Sequence, residues 1–380
     1  MIQFFLTLFF SVVFVIAAIM ATAHFWRWFY WAPTEEDEVS YCRTDDGRRL
    51  AVLRYRPEGE PVGLPVILCH GLSSNRFTFD LPGAPSLARF LRDQGRDVWV
   101  SELRGSGASD RPRLWASGMP YSWDFEDHLR RDVPAVVAHV TQRTQAPAVH
   151  WVGHSMGGML IRAYLAGNDA SGIQSAVTLG SPVDWSQMQN PWYKLALRAA
   201  RLLHYFPVLP LPFLVKIMVP FAHRIPNFFL AVYHPPNIEP EVSKRVMALA
   251  TELVTASKLW GDFGRFLETG VFGPNGHEGY LDPSHDTEVP ILILAGARDE
   301  MAPPEAVAPE RRSTGSPGKP QTEILGKDTG CAEDYGHMDL VVGKRVEQEV
   351  FPSILRWIGS HDCEVADSSV GMHTRERADT

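Results

Sequence analysis

The segment Trp151–Gly158, with the sequence WVGHSMGG, places one serine between glycines where a strand-like stretch gives way to a helix-like one. Residues 148–152 before it are mostly apolar, with β-branched and aromatic side chains, which predicts a buried strand. Residues 159–165 after it are mostly apolar and predict a helix. Ser155 therefore lies on a turn between a strand and a helix.

Glycines flank this serine at Gly153 and Gly157, the spacing G-x-S-x-G. In so tight a turn, side chains at these two positions would collide with the adjacent strand and helix. The turn lifts the Ser155 hydroxyl clear of the sheet, and the first N–H groups of the helix face any negative charge that develops there. We predict that Ser155 is a nucleophile and that Gly153, His154 and Gly157 complete its elbow.

A serine hydroxyl becomes a good nucleophile only when a base takes its proton and a carboxylate orients that base. Residues 290–296 predict a buried strand, and Asp299 follows its carboxyl end. Asp299 is the predicted acid. Glu300 beside it ranks second, and Asp184, after the predicted strand at 176–180, ranks third.

Three histidines follow Asp299 in the chain. His337 lies in a loop just ahead of a helix-like pattern, whereas His361 and His373 lie in a polar tail. We therefore predict that His337 is the base.

An acyl-transfer site also needs donors for the oxyanion, commonly two backbone N–H groups. The predicted strand at 64–70 breaks at His70-Gly71 into a polar loop. We expect the N–H groups of Leu72 and Met156 to form this oxyanion hole. His70 precedes the serine in the chain, so we assign it a role in shaping the loop.

Together these motifs resemble the α/β-hydrolase superfamily over residues 38–360. The motifs are His70-Gly71, Glu102–Asp110, Gly153–Gly157, Gly296–Asp299 and Gly336-His337. The resemblance implies an α/β-hydrolase fold, with a mostly parallel eight-stranded sheet, helices on both faces and an inserted helical cap.

Within that superfamily, Ser122–Glu126 followed by Arg131–Ala135 is similar to the segment before the elbow in the acid lipases, a group that includes gastric and lysosomal lipases. Met156 stands where those lipases carry glutamine, and methionine there is more typical of bacterial esterases and lipases. The resemblance thus leaves the acyl chain and the alcohol of the substrate open.

The resemblance implies a serine ester hydrolase of lipase or esterase type that forms an acyl-enzyme on Ser155. A serine at the elbow disfavours the dehalogenases and epoxide hydrolases of the superfamily, which use aspartate. Two alternatives stay open: an acyltransferase that uses the same Ser155, His337 and Asp299, and a non-catalytic binding protein on the same fold.

Composition restricts partners and cofactors. The net charge of −8 and the lack of a basic stripe argue against a nucleic-acid partner. The four cysteines fit no metal-binding spacing, so we expect no metal and no cofactor. Cys69 falls in a predicted core strand and is expected to be an inert buried thiol. A pairing of Cys331 with Cys363 is left open.

The chain begins with a stretch that is long enough to cross a membrane. Residues 2–23 carry no charge, and residues 24–31 are rich in aromatic side chains that suit the headgroup region. We predict that residues 1–31 form a single-pass membrane anchor. A signal peptide cleaved at Ala21-Thr22-Ala23 is the alternative, and the side of the membrane is not determined.

The chain divides into an α/β core of residues 38–183 and 288–360, a cap or lid of residues 184–287, and a polar tail of residues 361–380. The cap is basic and apolar over residues 191–234. Its basic residues are Lys194, Arg198, Arg201, Lys216 and Arg224, and its apolar ones include Leu195, Leu202, Leu203, Phe206, Leu209, Leu211, Phe213, Leu214 and Ile217. These apolar side chains form either a small separate core or a lid that docks on a bilayer and forms an acyl-chain pocket.

Overall fold

The computed structural model describes residues 1–111, 123–167, 171–184, 208–209, 211–222, 224, 232–252, 254–255, 257–269, 272, 281, 287–308 and 320–362. The α-helices described are α1 (Ile2–Tyr30), α2 (Leu87–Asp93), α3 (Phe125–Asp127), α4 (Val133–Thr144), α5 (Met156–Ala166), α6 (Leu211–Ile217), α7 (Pro240–Leu249), α8 (Ser257–Thr269), α9 (Pro304–Val307), α10 (Asp339–Val342), α11 (Val346–Glu349) and α12 (Phe351–Ser360). A π-helical turn at His128–Asp132 joins α3 to α4.

The strands described are β1 (Glu38–Arg43), β2 (Arg49–Tyr55), β3 (Val66–Cys69), β4 (Val98–Ser101), β5 (Val149–His154), β6 (Ile173–Leu179), β7 (Val208–Leu209), β8 (Val254–Thr255), β9 (Ile291–Gly296) and β10 (Gln321–Leu325). Eight of them form one sheet in the order β1-β2-β4-β3-β5-β6-β9-β10, in which β1, β2 and β4 pair antiparallel and all later pairs are parallel. The predicted fold class is confirmed.

The central strands are apolar runs because both of their faces are covered. Every residue of β3, β5 and β9 is buried, and apolar clusters lie on both sides of the sheet. The parallel order brings the carboxyl ends of β3, β5, β6 and β9 to one edge. The loops after β3, β5 and β9 carry Leu72, Ser155 and Asp299, and His337 follows β10, which pairs parallel with β9.

Helix α1 is a single 29-residue helix that ends at Tyr30. Its segment Gln3–Tyr30 has a mean hydropathy of 2.7 and is long and apolar enough to cross a membrane. Toward its carboxyl end the helix packs against α6 and α7 of the cap, and Ala23 and Tyr30 become buried. The Arg245 guanidinium lies 5.4 Å from the centre of the Tyr30 ring. The end of α1 is therefore joined to the cap.

Half of the predicted lid residues lie outside the described part of the chain, namely Lys194, Leu195, Arg198, Arg201, Leu202, Leu203 and Phe206. In the described part of the cap, α6 continues into a 3-10 turn at Val219–Phe221. Met218 and Phe221 are exposed there, whereas Val219 and Ala222 are buried. The described cap thus presents apolar side chains both to its own core and to the outside.

The ordered core extends beyond the predicted start of the tail. The Asp362 carboxylate accepts hydrogen bonds from the Leu64 N–H at 2.9 Å and from Arg96 Nη1 at 2.7 Å, and it lies 3.1 Å from His150 Nε2. Asp362 thereby links the segment after α12 to the residues that precede β3 and β4. Residues 363–380 lie outside the described residues.

Candidate active site

The elbow has the geometry that the sequence predicts. β5 ends at His154 and α5 begins at Met156, which leaves Ser155 alone on the turn. Its backbone has φ +54° and ψ −121°, a combination that costs a non-glycine residue about 1 to 3 kcal/mol. The Ser155 N–H donates to the Leu179 carbonyl at 2.8 Å, which fixes the turn to the end of β6.

Backbone segments approach one another closely around this turn. A Cβ placed on Gly153 would lie 2.4 Å from the backbone of Gly157, and one on Gly157 would lie 2.2 Å from the Cys69 carbonyl oxygen. A Cβ on Gly71 would lie 2.8 Å from that of Ser155. Glycine is required at these positions because side chains there would displace backbone, which explains the G-x-S-x-G spacing.

Gly153→Ala is expected to lower the free energy of unfolding by more than about 3 kcal/mol, because its methyl group meets rigid backbone on both sides of the elbow. The matched control is Gly261→Ala in α8, where the added Cβ would lie 3.6 Å from a flexible Arg265 guanidinium nitrogen. Since alanine favours helix, the control should gain about 0.5 to 1 kcal/mol. Denaturant unfolding checks both, and equal stability of the two variants would contradict the steric explanation.

The structure brings His337 and Asp299 together. Asp299 follows β9, and its Oδ2 lies 2.7 Å from His337 Nδ1. The other carboxylate oxygen, Oδ1, accepts from the backbone N–H groups of Met301 at 2.9 Å and Ala302 at 2.8 Å. Because the carboxylate can only accept, Nδ1 carries the proton, and the lone pair of His337 is on Nε2.

This pair lies beside the elbow. A Cβ on Gly180, just after β6, would lie 3.0 Å from both Asp299 Oδ2 and His337 Nδ1. His154 Nε2 lies 3.2 Å from the His337 carbonyl oxygen, and the two imidazole centres are 4.7 Å apart. The residue before Ser155 therefore contacts the residue predicted to be its base.

The lower-ranked candidates lie elsewhere. Glu300 is exposed, and the Asp184 N–H donates to the Ala306 carbonyl. The His361 Nδ1 lies 2.8 Å from the Trp357 carbonyl oxygen at the end of α12. His373 lies outside the described residues.

Two buried histidines near the elbow are kept neutral. Burial, with a smaller contribution from the charge of the neighbouring His337, lowers the pKa of His154 to about 3. Burial also lowers the pKa of His70 to about 4. His70 Nε2 accepts from the Leu103 N–H at 3.2 Å, so its Nδ1 donates to the Gly71 carbonyl at 2.8 Å. These bonds hold the loop after β3, the role that the sequence suggested for His70.

The predicted oxyanion donors are free to act. Within the residues that the structure describes, neither the Leu72 N–H nor the Met156 N–H has a hydrogen-bond partner. Both residues line one pocket, together with His70, Gly71, Trp123 and Leu259. The Met156 N–H is also the first of α5, where the helix dipole favours negative charge.

Sequence reasoning missed a buried carboxyl group two residues after His337. Asp339 Oδ2 accepts from the Gly336 N–H at 2.9 Å, and both carboxyl oxygens lie within 3.1 Å of the His234 N–H in the cap. The Met338 N–H donates to the Val232 carbonyl at 2.7 Å. The loop that carries His337 is thereby attached to the cap. The only sequence signal was the short spacing between His337 and Asp339.

The stability of Asp339→Asn relative to that of the parent protein is expected to increase as the pH rises. Burial raises the pKa of Asp339 from 3.8 to about 7, although the two backbone N–H groups lower it. Between pH 3.8 and about 7 the folded chain therefore holds a proton that the unfolded chain has lost. The contribution of this proton to the free energy of unfolding is complete below pH 3.8 and is lost as the pH rises to about 7. Asparagine cannot ionise and avoids that loss.

We expect the Tm of Asp339→Asn minus that of the parent to be larger at pH 8 than at pH 5, measured by thermal unfolding. Asp328→Asn, on an exposed 3-10 turn, is the control and should show no such change. A difference in Tm that is constant across this range would show that Asp339 does not titrate there.

No group of three or more metal-binding side chains lies among the described residues. Cys42, Cys69 and Cys331 are free thiols, and Cys363 lies outside the described part. Cys69 is fully buried, as predicted, and burial raises the pKa of its thiol to about 12, which favours the protonated form.

The chain is similar to known proteins in both sequence and fold. A family model described as "alpha/beta hydrolase fold" matches residues 65–210, which include the elbow. The solved structure of a putative aryl esterase from Burkholderia cenocepacia matches with a TM-score of 0.54 at 21% identity, over 85% of this chain and all of that one. The chain has the α/β-hydrolase fold.

Curated lipases are similar in sequence. Gastric triacylglycerol lipase of Mus musculus is 36% identical over 138 residues, 34% of each chain. Lipase 3 of Drosophila melanogaster is 24% identical over 378 residues, 87% of this chain and 91% of that one. The chain spans about a third of the length of the relatives that it matches at the higher identity. The predicted similarity of the chain to the gastric lipases is confirmed.

Proposed function

We propose that the protein is a membrane-associated serine hydrolase that cleaves carboxylic esters. The observation that carries this proposal is the 2.7 Å contact between Asp299 and His337 beside a strained serine. Within the described residues, the backbone N–H groups of Leu72 and Met156 have no hydrogen-bond partner, and both residues line one pocket. A nucleophile, a base with its orienting acid, and oxyanion donors together meet the requirements of acyl transfer.

In this mechanism Ser155 Oγ attacks the ester carbonyl carbon while His337 Nε2 takes the hydroxyl proton. Asp299 stabilises the imidazolium, and the N–H groups of Leu72 and Met156 donate to the oxyanion. Collapse of the tetrahedral intermediate breaks the bond between the carbonyl carbon and the alcohol oxygen, and the alcohol leaves with the proton from His337 Nε2. Water then gives its proton to His337 and attacks the acyl-enzyme, which releases the carboxylic acid and restores the Ser155 hydroxyl.

The names of the relatives support an ester or lipid as the substrate. One is a gastric triacylglycerol lipase, and a structural neighbour is a putative aryl esterase. The cap favours the lipid side of this range because it exposes Met218 and Phe221 and lies against the apolar helix α1. We therefore propose that long acyl chains are preferred.

We further propose that α1 is kept as a membrane anchor. Signal sequences also pass a test of length and hydropathy, so the packing of the helix supports this proposal better than its composition does. Ala23 is buried, and the His24 ring lies 6.4 Å from that of Phe213 in the cap. Cleavage after Ala23 would remove the buried Ala23 and leave His24 at the new amino terminus, next to Phe213.

The proposal is tested with p-nitrophenyl esters of two to sixteen carbon atoms and the full-length protein in detergent. We expect turnover with an optimum at long chains, and stoichiometric labelling of the peptide that contains Ser155 by an alkyl fluorophosphonate. Turnover without labelling of that peptide would refute the serine mechanism. An ester product formed only when an alcohol is added would indicate an acyltransferase. Activity limited to acetyl and butyryl esters would refute the lipid substrate.

The anchor is tested by determining the amino-terminal residue of the protein in washed membranes. A retained anchor predicts a chain that begins at or next to Met1. A soluble protein that begins at His24 would show that α1 is a cleaved signal peptide.

A further inference from the structure

Three basic side chains from different parts of the chain converge near one buried carboxylate. Arg27 Nη1, at the end of α1, lies 3.9 Å from Glu252 Oε1, and Arg111 Nη2 lies 3.1 Å from the same oxygen. Lys216, in α6, donates from Nζ to the carbonyl of Thr251 at 3.1 Å, next to Glu252. We call Arg27, Arg111 and Lys216 the cation cluster.

Glu252 is too heavily shared to neutralise this cluster. Its Oε1 also accepts from Asn75 Nδ2 at 2.7 Å. The Lys216 ammonium is buried, and burial, together with Arg27 and Arg111, lowers its pKa to about 8, whereas Glu252 acts in the opposite direction. Among the described residues, the carboxylate of Glu252 thus faces three basic groups, and an anion placed among them would relieve their repulsion.

The two arginines of the cluster are accessible, whereas Lys216 is buried. The Arg27 side chain is 37% exposed and that of Arg111 is 42% exposed, while the Glu252 side chain beneath them is 5% exposed. The two guanidinium groups can therefore accept a ligand from outside without breaking their contact with Glu252. Arginine forks are well suited to phosphate, which they bind through paired N–H donors.

The position of the cluster indicates that such an anion would come from a lipid headgroup. Arg27 lies within the aromatic end of α1, where Phe25, Trp28 and Phe29 are exposed. If α1 spans the bilayer, this end lies at the level of the lipid headgroups. On its other side the cluster adjoins the active site, because the Glu252 N–H donates to the carbonyl of Ser73, the residue after Leu72, at 2.7 Å.

We propose that Arg27, Arg111 and Lys216 bind the phosphate group of a membrane phospholipid and present its acyl ester to Ser155. This inference rests on the proposed function and specifies its substrate. The reaction is the ester hydrolysis described above, in which water and a phospholipid give a fatty acid and a lysophospholipid. Glu252 Oε1 lies within ion-pair distance of both arginines, and the Glu252 N–H fixes the cluster to the loop that carries Leu72.

The test compares hydrolysis of dioleoylphosphatidylcholine with that of p-nitrophenyl butyrate in the same detergent micelles. For Arg27→Gln/Arg111→Gln we expect the ratio of the two kcat/KM values to fall about tenfold or more, mainly through KM for the phospholipid. Lys216→Gln should change the ratio in the same direction. Arg92→Gln is the matched control, because Arg92 pairs with Glu35 and Asp93 on the surface of the core. An unchanged ratio in the double variant would overturn the inference.

A binding measurement separates this inference from the proposed function. Ser155→Ala protein is titrated with dihexanoylphosphatidylcholine below its micelle concentration, with dihexanoylglycerol, and with inorganic phosphate, and Tm is recorded. We expect a saturable rise in Tm with the phospholipid that is lost when the two arginines are replaced, and a smaller one with free phosphate. Equal shifts with the phospholipid and the glycerol would overturn the phosphate site, whether or not the parent protein turns over esters. A larger shift with free phosphate would overturn the lipid as its source.

Discussion

Ser155→Ala is expected to lower kcat for p-nitrophenyl esters by about 10⁶-fold, which is the largest effect of any substitution considered for this protein. Alanine has no atom that can form the acyl-enzyme, so only the oxyanion donors and the bound geometry remain. Those features alone leave catalysis about 10³- to 10⁴-fold above the reaction in water. The expected residual rate is therefore small and shows no burst of product.

Ser155→Ala should abolish activity without lowering the stability of the protein, so that the loss of kcat reports on the reaction alone. Ser155 has φ +54°, and alanine tolerates this region no worse than serine does, so the elbow should keep its shape. We expect the Tm of the variant to stay within about 2 °C of the parent value, or to rise slightly as strain at the active site is relieved. Ser360→Ala at the exposed end of α12 is the control and should keep full activity. A loss of only about tenfold in Ser155→Ala would show that another group or a water molecule carries the reaction.

The sequence predicts the elements that are local in the chain. The strand, turn and helix around Ser155 follow from apolar patterning and glycine spacing. Asp299 and His337 could be chosen because each follows a recognisable apolar run or precedes one. Their contact at 2.7 Å depends on neighbouring parallel strands ending at one edge, which the superfamily resemblance implied.

The missed features depend on contacts between segments that are far apart in the chain. Asp339 is buried where the cap folds back onto its loop, and this burial raises its pKa, although the hydrogen bond from the His234 N–H lowers it. Glu252 meets Asn75 and Arg27 across separations of more than one hundred residues. No periodicity or motif marks such residues, since a lone acidic side chain in a helical cap looks solvent-exposed until the packing of that cap is known.

Asp299→Asn is expected to lower kcat by about 10⁴-fold while leaving KM nearly unchanged. Asp299 Oδ1 accepts two backbone N–H groups, those of Met301 and Ala302. Asparagine keeps these bonds only if its carbonyl oxygen stays on that side, which turns its NH₂ group toward His337 Nδ1. That nitrogen must then accept, so the proton moves to Nε2, and Nε2 can no longer take the proton from Ser155.

The loss of kcat in Asp299→Asn should therefore come from the wrong tautomer of His337 and not from a loss of folded protein. We expect wild-type-like Tm and slow labelling by a fluorophosphonate, because the base no longer activates Ser155. Glu300→Gln is the matched control, since Glu300 is the adjacent acidic residue and is exposed, and its kcat should stay within about twofold of the parent value. If Glu300→Gln were the more damaging of the two, Glu300 would orient the base. If neither variant lost activity, His337 would work without a carboxylate and the contact between Asp299 and His337 would be structural.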